Sequence, residues 1–363
     1  MSPDVEGFLY PVVDRQRCVD CGICLRDCPI ERLPRHNPLL AAYGAFAHSD
    51  ELRKDSSSGG IFGLLAQCVI QKGGVVYGAA FGENFQVLHK RIHCLEEIPV
   101  LRKTKYVQSK MGNSFEKVRQ DLQAGLSVLF SGTPCQVAGL KAFLQIEYDN
   151  LLTVETICFG VPSPEIWRKY LAEKCSQYSS EVTQVSFRDK SQGWQGYRMR
   201  IWFANGVEYL QNRKKDEYMM CFSQCLSLRP SCYECKFKGT HREADLTLGD
   251  FWGVEELAPH LNDNLGTSLV LTHTVAGEQA LKSLGGSSVI QKVEETSVLA
   301  HNPYALRSVP RPARRSLFFE ALSHRTLKEC VLAFARPSLW QRVLRGAKQG
   351  LHGFKRCLLG RAR

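Results

Sequence analysis

Leu126-Ser127-Val128-Leu129-Phe130-Ser131-Gly132-Thr133-Pro134-Cys135-Gln136 passes from an apolar run through a turn into a helix. Leu126–Phe130 predicts a buried strand, and Ser131–Cys135 has the composition of a turn. Residues 136–144 then have the apolar spacing of a helix. A strand that runs directly into a helix in this way is a unit of an α/β fold.

A second unit of the same form follows. Leu151–Ile157 predicts a strand that runs into Cys158-Phe159-Gly160-Val161-Pro162, and Ser163 is the N-cap of the next helix. Strand–helix–strand units build a parallel sheet, whose ligands gather at the carboxyl ends of the strands. Cys135 and Cys158 both fall at such ends.

The flanking segments predict a mixed α/β body. The apolar spacing after Gly60 predicts a helix that stops at Gly73-Gly74. We expect strands at residues 75–81, 182–187, 198–203, 206–210 and 267–272, the middle three more antiparallel, followed by a mostly helical remainder.

The composition of the 363 residues is that of a globular protein, with 44% hydrophobic and 23% charged residues. No apolar run reaches the roughly 18–20 residues that span a bilayer, and we find no secretory signal, so we expect a cytoplasmic chain. The net charge is +11, but residues 331–363 hold eight basic and no acidic residues. Because the basic charge belongs to this tail, it argues against a nucleic-acid-binding face.

Fifteen cysteines require an explanation. An odd number in a long chain without an export signal argues against a disulfide framework. Cys68, Cys94 and Cys175 stand alone and are interpreted as structural thiols. The clustered cysteines indicate metal.

The clearest cluster is Cys18-Val-Asp-Cys21-Gly-Ile-Cys24-Leu-Arg-Asp-Cys28-Pro29. It reproduces the C-x2-C-x2-C-x3-C-P run of bacterial ferredoxins, whose thiolates bind iron–sulfur clusters. Zinc is the alternative, but structural zinc sites usually use two separated knuckles. In ferredoxins with two runs the fourth cysteine binds the other cluster, so Cys28 either completes its own cluster or serves another site.

Cys232-Tyr-Glu-Cys235 is a weaker signal. Alone it is compatible with a zinc knuckle, a redox dithiol or two incidental thiols. Together with Cys135 and Cys158 it gives four thiolates, the number that a [4Fe–4S] cluster requires.

Two further segments suit a flavin nucleotide. Ser56-Ser57-Ser58-Gly59-Gly60 opens a helix, where free N–H groups and the dipole favour an anion. Lys103-Thr104-Lys105-Tyr106-Val107-Gln108-Ser109 offers cations, an aromatic face and amides. The alternatives are an ordinary serine N-cap and a solvated loop.

Taken together, these motifs resemble the coenzyme F420 hydrogenase/dehydrogenase beta-subunit family, in its bacterial branch with an N-terminal ferredoxin-like domain. The plant 7-hydroxymethyl chlorophyll a reductase is a relative. The resemblance covers about residues 5–310 and rests on Ser57–Gly60, Lys105–Ser109, Gly132–Gln136, Cys158–Ser163, Phe187–Lys190, Arg229–Cys235 and Asp245–Gly253.

The resemblance implies FAD and a [4Fe–4S] cluster in the body, besides the N-terminal cluster. By position, it makes Cys135, Cys158, Cys232 and Cys235 cluster ligands. The implied FAD contacts are Ser57, Ser58, Gly59, Gly60, Lys105, Tyr106, Gln108 and Ser109, with Thr133, Gln136 and Gly160 beside the flavin.

The expected organisation has three parts. Residues 1–40 form a ferredoxin-like [4Fe–4S] module, residues 41–310 the FAD and [4Fe–4S] body, and residues 311–363 a helical, basic extension. Bacterial relatives usually have two ferredoxin runs, and Glu6–Pro11 resembles the segment between them. We therefore expect a chain that starts late or has lost the first run.

The expected function is that of a flavin and iron–sulfur oxidoreductase. It would exchange electrons with ferredoxin or another redox partner protein, with an F420-like deazaflavin, or with another small donor or acceptor. The alternative is an electron-carrier or adaptor subunit without a substrate of its own. No His/Asp or Cys/His pair stands out as a general acid–base couple.

For the basic tail we consider a separate hypothesis, an amphipathic helix. Leu339, Trp340, Val343, Leu344, Ala347, Leu351 and Phe354 form an apolar helix face flanked by arginine and lysine. Such a helix could lie on an anionic membrane surface. Three glycines weaken the helix, and a disordered basic tail is the alternative.

Overall fold

The computed structural model describes residues 1–31 and 37–335. The strands are β1 (Ser2–Pro3), β2 (Leu9–Tyr10), β3 (Ala41–Ala47), β4 (Val75–Phe81), β5 (Val87–Ile92), β6 (Val128–Gly132), β7 (Leu151–Thr156), β8 (Val182–Asp189), β9 (Arg198–Phe203), β10 (Glu208–Asn212), β11 (Leu246–Asp250), β12 (Ser268–Thr272) and β13 (Ser288–Val293). The helices are α1 (Ile23–Arg26), α2 (Asp50–Lys54), α3 (Ile61–Gln71), α4 (Ile98–Leu101), α5 (Ser114–Gln123), α6 (Pro134–Leu144), α7 (Pro164–Tyr178), α8 (Glu217–Ser223), α9 (Val254–Leu257), α10 (Val275–Lys282), α11 (Glu295–His301), α12 (Pro303–Leu306), α13 (Arg315–Leu322) and α14 (Leu327–Cys330).

An eight-stranded mixed sheet forms the centre of the body, in the order β13-β3-β12-β11-β7-β6-β4-β5. Its four central strands, β11, β7, β6 and β4, are parallel, and the outer strands pair antiparallel on both sides. The prediction of a mixed α/β fold is confirmed.

Successive side chains of the central strands point to opposite faces of the sheet, so each face has its own part of the core. Val128 and Phe130 of β6 pack with Val137 and Leu140 of α6. Leu129, between them, belongs to the opposite cluster, which contains the buried face of α3. Because side chains alternate across a strand, a continuous apolar run such as this one is buried on both faces.

A second layer is built on the antiparallel sheet β10-β9-β8. Its aromatic core includes Trp167 from α7, Phe187 from β8 and Tyr218 from α8, with ring centroids 4.8 to 5.7 Å apart. Phe318 of α13 and Leu327 of α14 belong to the same core. Residues 315–335 therefore pack on the body, whereas the boundary at residue 310 stays a prediction.

The N-terminal residues contact this core at α13 and at the start of α7. Phe8, beside the β1–β2 hairpin, is fully buried. The Glu6 carboxylate forms an ion pair with Arg315 of α13, which is 2% exposed. Ser163, the N-cap of α7, donates its hydroxyl to the Glu6 carbonyl. The hairpin is thus part of the folded body.

Most predicted elements lie where the pattern placed them, with three differences. The turn at residues 131–135 is shorter than predicted, because α6 begins at Pro134 and includes Cys135. The expected helical remainder after residue 272 contains the strand β13, which pairs with β3. The strands β1, β2, β3, β5 and β11 were not predicted from the pattern.

No helix in the described ranges combines the length and apolar character needed to cross a membrane. The amphipathic tail predicted from Leu339 to Phe354 lies outside the described residues.

Candidate functional site

A cleft of about 2360 Å³ opens at the carboxyl ends of the parallel strands. Pockets for a single small ligand usually measure about 300–1,000 Å³, so this volume has room for more than one group. Its walls include Ser56–Ser58 and Gly60–Gly63 around the α3 N-terminus, Leu101–Gly112 and the ends of β6 and β7. Gly59, a predicted FAD contact, is not among the lining residues. This position is the one expected for ligands of an open α/β sheet.

Four cysteines from three separate parts of the chain line this cleft. Cys135 is the second residue of α6, directly after β6. Cys158 follows β7, the parallel neighbour of β6. Cys232 and Cys235 lie in and just after the 3₁₀ turn Pro230–Glu234. The fold therefore brings the CxxC to the strand ends that carry the other two.

The Cys158 thiol is sensitive to burial and to the neighbouring charges. Burial raises the pKa of the Cys158 thiol, and the Lys238 ammonium opposes this effect. Negative charge on Cys232, Cys135 or Cys235 raises it further. Burial likewise raises the pKa of Cys232 to about 11. Because thiolates are the ligands of a cluster, loading with metal must remove these protons.

Donors and cations surround the thiols. The backbone N–H of Val161 donates to Cys232 Sγ at 3.4 Å, and Thr133 Oγ1 lies 3.1 Å from Cys135 Sγ. The Arg229 guanidinium lowers the pKa of Cys135 and Cys232, against the larger effect of burial. Hydrogen bonds and positive charge of this kind stabilise cluster-bound thiolates.

The donor set fits an iron–sulfur cluster. In the described part of the chain, no three His, Cys, Asp or Glu side chains are arranged to hold a single metal ion. The four thiolates of a [4Fe–4S] cluster bind four different irons, so they stand farther apart than the ligands of one ion.

The serine–glycine turn is held in place by the protein itself. Ser58 Oγ donates to the Thr267 carbonyl at 2.8 Å, and Ser57 Oγ accepts the Thr104 N–H at 2.7 Å. A Cβ on Gly59 would collide with the backbone of β3 and lie 2.8 Å from Ser268 N, so only glycine fits. Gly60 is left-handed with φ 87°, and no side chain caps α3. The backbone N–H groups, more than the serine hydroxyls, are thus available to an anion.

The Lys105–Ser109 segment lines the cleft, but much of its polarity is used locally. Lys105 Nζ donates to the carbonyls of Val100 and Arg102 at 2.9 and 2.7 Å. Burial, and then Lys103, lower the pKa of Lys105 to about 7.

Gln108 and Ser109 have protein partners that the sequence did not indicate. Gln108 Oε1 accepts the Leu9 N–H at 2.9 Å, which ties this loop to β2. Ser109 Oγ accepts from Gln136 Nε2 at 2.8 Å, and Gln136 Oε1 accepts the Thr133 N–H at 2.9 Å. The two glutamines therefore fix the wall of the cleft.

Gly160 lies between the thiols and the core. Its φ is 155°, and an added Cβ would approach Leu228 Cδ1 at 2.7 Å. The glycine lets the loop after β7 pass close to Leu228 and still line the cleft.

Two charged groups had no predicted role beyond their place in the Phe187–Lys190 motif: Arg188, which lines the cleft, and Lys190, which lies behind the serine–glycine turn. Arg188 of β8 forms a bidentate ion pair with Asp250 at the end of β11. Its Nη1 and Nη2 donate to the Asp250 carboxylate oxygens at 2.5 and 3.0 Å. This pair joins the two sheets beside the cleft. Lys190 donates to the carbonyls of Ser58 and Leu265 at 3.0 and 2.8 Å, and also to that of Arg53. It therefore clamps the serine–glycine turn.

A row of aromatic rings was also not predicted. Tyr106 packs on Phe222 with centroids 4.5 Å apart, and Phe222 meets Phe159 at 5.0 Å. Tyr304 continues the row at 4.7 Å from Phe159. All four rings line the cleft, and Phe159 directly follows Cys158, so the row extends from the thiols towards the Lys105 segment.

The N-terminal cysteines lie on short α1 and its flanking loops. Cys18, Cys21 and Cys24 are exposed, and Cys28 is half-buried. Of these four, Cys28 is the one that lines the cleft.

Comparison with known proteins agrees with this architecture. Residues 125–297 match the family model that describes the C terminus of the coenzyme F420 hydrogenase/dehydrogenase beta subunit. A chain of the F420-reducing [NiFe] hydrogenase complex from Methanosarcina barkeri, solved with xenon, is similar in structure. Its TM-score is 0.50 at 17% identity, over 74% of this chain and 91% of that chain. No curated protein matches the sequence.

The model describes hydrogenase and dehydrogenase subunits. The matched residues of this chain include Cys135, Cys158, Cys232 and Cys235. The structural neighbour independently has the same mixed α/β fold. The match over residues 125–297 and the similar fold of the structural neighbour therefore support the resemblance to the coenzyme F420 hydrogenase/dehydrogenase beta-subunit family.

Proposed function

We propose that this chain is an iron–sulfur flavoprotein oxidoreductase that holds FAD and a [4Fe–4S] cluster in one cleft and a second [4Fe–4S] cluster on its N-terminal run. The observation that carries the proposal is the meeting of four cysteine thiols in a cleft that also contains an uncapped helix N-terminus. The family's hydrogenase and dehydrogenase description supports redox chemistry.

The proposed cluster ligands in the body are Cys135, Cys158, Cys232 and Cys235, and those of the N-terminal module are Cys18, Cys21, Cys24 and Cys28. When bound, flavin and clusters supply the conversion between two-electron and one-electron transfer. The chain's part is to hold the thiolates, keep them buried and donate hydrogen bonds to sulfur.

The proposed FAD site begins at Ser57–Gly60. There the free N–H groups of α3 would receive the diphosphate, and the Lys190 clamp would keep the turn in shape. The aromatic row from Tyr106 to Phe159 offers flat apolar surfaces for a planar ring. Lys105 would add positive charge near the phosphates.

Anaerobic reconstitution with iron, sulfide and FAD tests the proposal. The protein should retain about four irons per cluster and stoichiometric FAD after gel filtration. It should then be reduced by a reduced deazaflavin, a reduced nicotinamide or reduced ferredoxin. The donor that reduces it identifies the class of its substrate. Retention of clusters without flavin would contradict the flavoenzyme.

An adaptor subunit is the second candidate, because the structural neighbour is part of a multi-subunit hydrogenase complex. In that case the chain would exchange electrons with a protein partner and turn over no small substrate. Full reduction by a partner protein, together with no turnover of any small donor, would favour the adaptor.

A further inference from the structure

We infer that Cys28 faces the body cluster, and that Gln145 and Lys236 are positioning residues that hold it there. This inference rests on the proposed function, because it concerns the two proposed sets of cluster ligands. The spacing of the run alone leaves open which of its four cysteines points towards the rest of the protein.

Exposure separates Cys28 from the other cysteines of its run. Cys18, Cys21 and Cys24 are exposed, whereas Cys28 is half-buried and lines the cleft together with Cys135 and Cys235. The run therefore has an outer side and a body-facing side, and Cys28 lies on the body-facing side.

Two hydrogen bonds hold the chain on either side of Cys28. Gln145 Nε2 donates to Asp27 Oδ2 at 2.7 Å, and Lys236 Nζ donates to the Ile30 carbonyl at 3.0 Å. One contact precedes Cys28 by one residue, and the other follows it by two. Together they limit rotation of this part of the run relative to the body.

Both donors come from the elements that carry the body thiols. Gln145 is the C-cap of α6, and Cys135 lies in the first turn of that helix. Lys236 is the residue after Cys235. These two hydrogen bonds therefore join the segment around Cys28 to the elements that carry Cys135 and Cys235.

This arrangement makes a magnetic prediction that does not depend on turnover. When both clusters are reduced, two paramagnetic centres held at a short, fixed separation give an electron paramagnetic resonance spectrum with interaction splitting. The double variant Gln145→Ala/Lys236→Ala should keep the iron content of the wild type and lose this splitting. Lys236→Arg, which keeps a donor, should retain it.

The matched control is Gln71→Ala/Lys72→Ala, the same two residue types at the exposed end of α3, which should leave the splitting unchanged. If the double variant loses iron, Gln145→Ala alone is measured, with reduced splitting expected. Splitting equal to that of the wild type in every iron-loaded variant, or no splitting in a fully reduced wild type, overturns the inference. A wild type without two clusters instead refutes the proposed function.

Discussion

At the scale of single residues, Lys190 best illustrates how the cleft is prepared for a ligand. Its ammonium donates to three backbone carbonyls, among them that of Ser58 in the serine–glycine turn. Burial, and then Arg188, lower its pKa to about 7. Its role is to hold the turn from behind, since its donors are directed at the protein.

Replacing Lys190 should weaken FAD binding. Lys190→Met leaves buried carbonyls without donors, which costs roughly 1–3 kcal/mol and loosens the turn. We expect FAD affinity to fall about tenfold, while the iron content stays unchanged. Titration of flavin fluorescence measures this. Lys190→Arg should recover part of the affinity, Lys72→Met is the exposed control, and equal affinity for Lys190→Met and the wild type would contradict the account.

We expect Lys105 to make FAD binding pH-dependent. Its pKa of about 7 lies below the ordinary lysine value because of burial and of Lys103, so its charge is lost as pH rises through that value. An anionic diphosphate prefers the charged form. FAD affinity should therefore fall between about pH 6 and pH 8, by less than tenfold per unit.

The readout is the FAD dissociation constant across that pH range. Lys105→Met should bind more weakly at low pH and show a flatter pH dependence. Affinity that rises with pH in the wild type would show that this lysine does not act on the ligand.

At the scale of elements, the start of α6 controls the position of Cys135. Thr133 and Gln136 form a reciprocal capping box there, and Pro134 occupies the first turn. Such a cap fixes where the helix begins and hence where the second residue of the helix points.

Removal of this cap should be measurable. Thr133→Ala is expected to lower the free energy of unfolding by about 1 kcal/mol, because the N-cap hydroxyl and its hydrogen bond to Gln136 Oε1 are lost. Urea unfolding of the metal-loaded protein is the measurement, and Thr133→Ser, which keeps an N-cap hydroxyl, is the control. Identical stability of Thr133→Ala and the wild type would show that the box is dispensable.

The sequence was most informative where local pattern alone determines structure. The strand–helix units at β6–α6 and β7–α7 followed from apolar runs and an N-cap serine, and their strand ends located Cys135 and Cys158. The strands β3 and β13 were not predicted, because each pairs with strands that are distant in the sequence. A local pattern does not contain such tertiary contacts. The Lys190 clamp and the partner of Gln108 depend on the same kind of long-range contact.

At the scale of the whole molecule, one ion pair joins the two ends of the described chain. Arg315 of α13 is 2% exposed and pairs with Glu6, and it also donates to the Leu228 carbonyl at 2.8 Å. Leu228 in turn packs beside Gly160 at the cleft. The N-terminal residues, the C-terminal helices and the loop after β7 therefore share one set of contacts.

Breaking this pair should destabilise the protein as a whole. Glu6→Gln leaves a buried guanidinium without its counter-charge, which costs about 3 kcal/mol. We expect a lower thermal midpoint and faster proteolysis near the N-terminus. Glu255→Gln, at an exposed carboxylate, is the control, and a midpoint unchanged by Glu6→Gln would rule out this linkage.

The central claim is that four cysteines distant in sequence hold a [4Fe–4S] cluster in the cleft. Its most direct test is anaerobic analysis of iron, zinc and acid-labile sulfide in the wild type, in Cys158→Ser and in the control Cys175→Ser. The account predicts about eight irons per chain for the wild type and the control, and about four for Cys158→Ser. Equal iron in all three proteins, or zinc in place of iron, would contradict it.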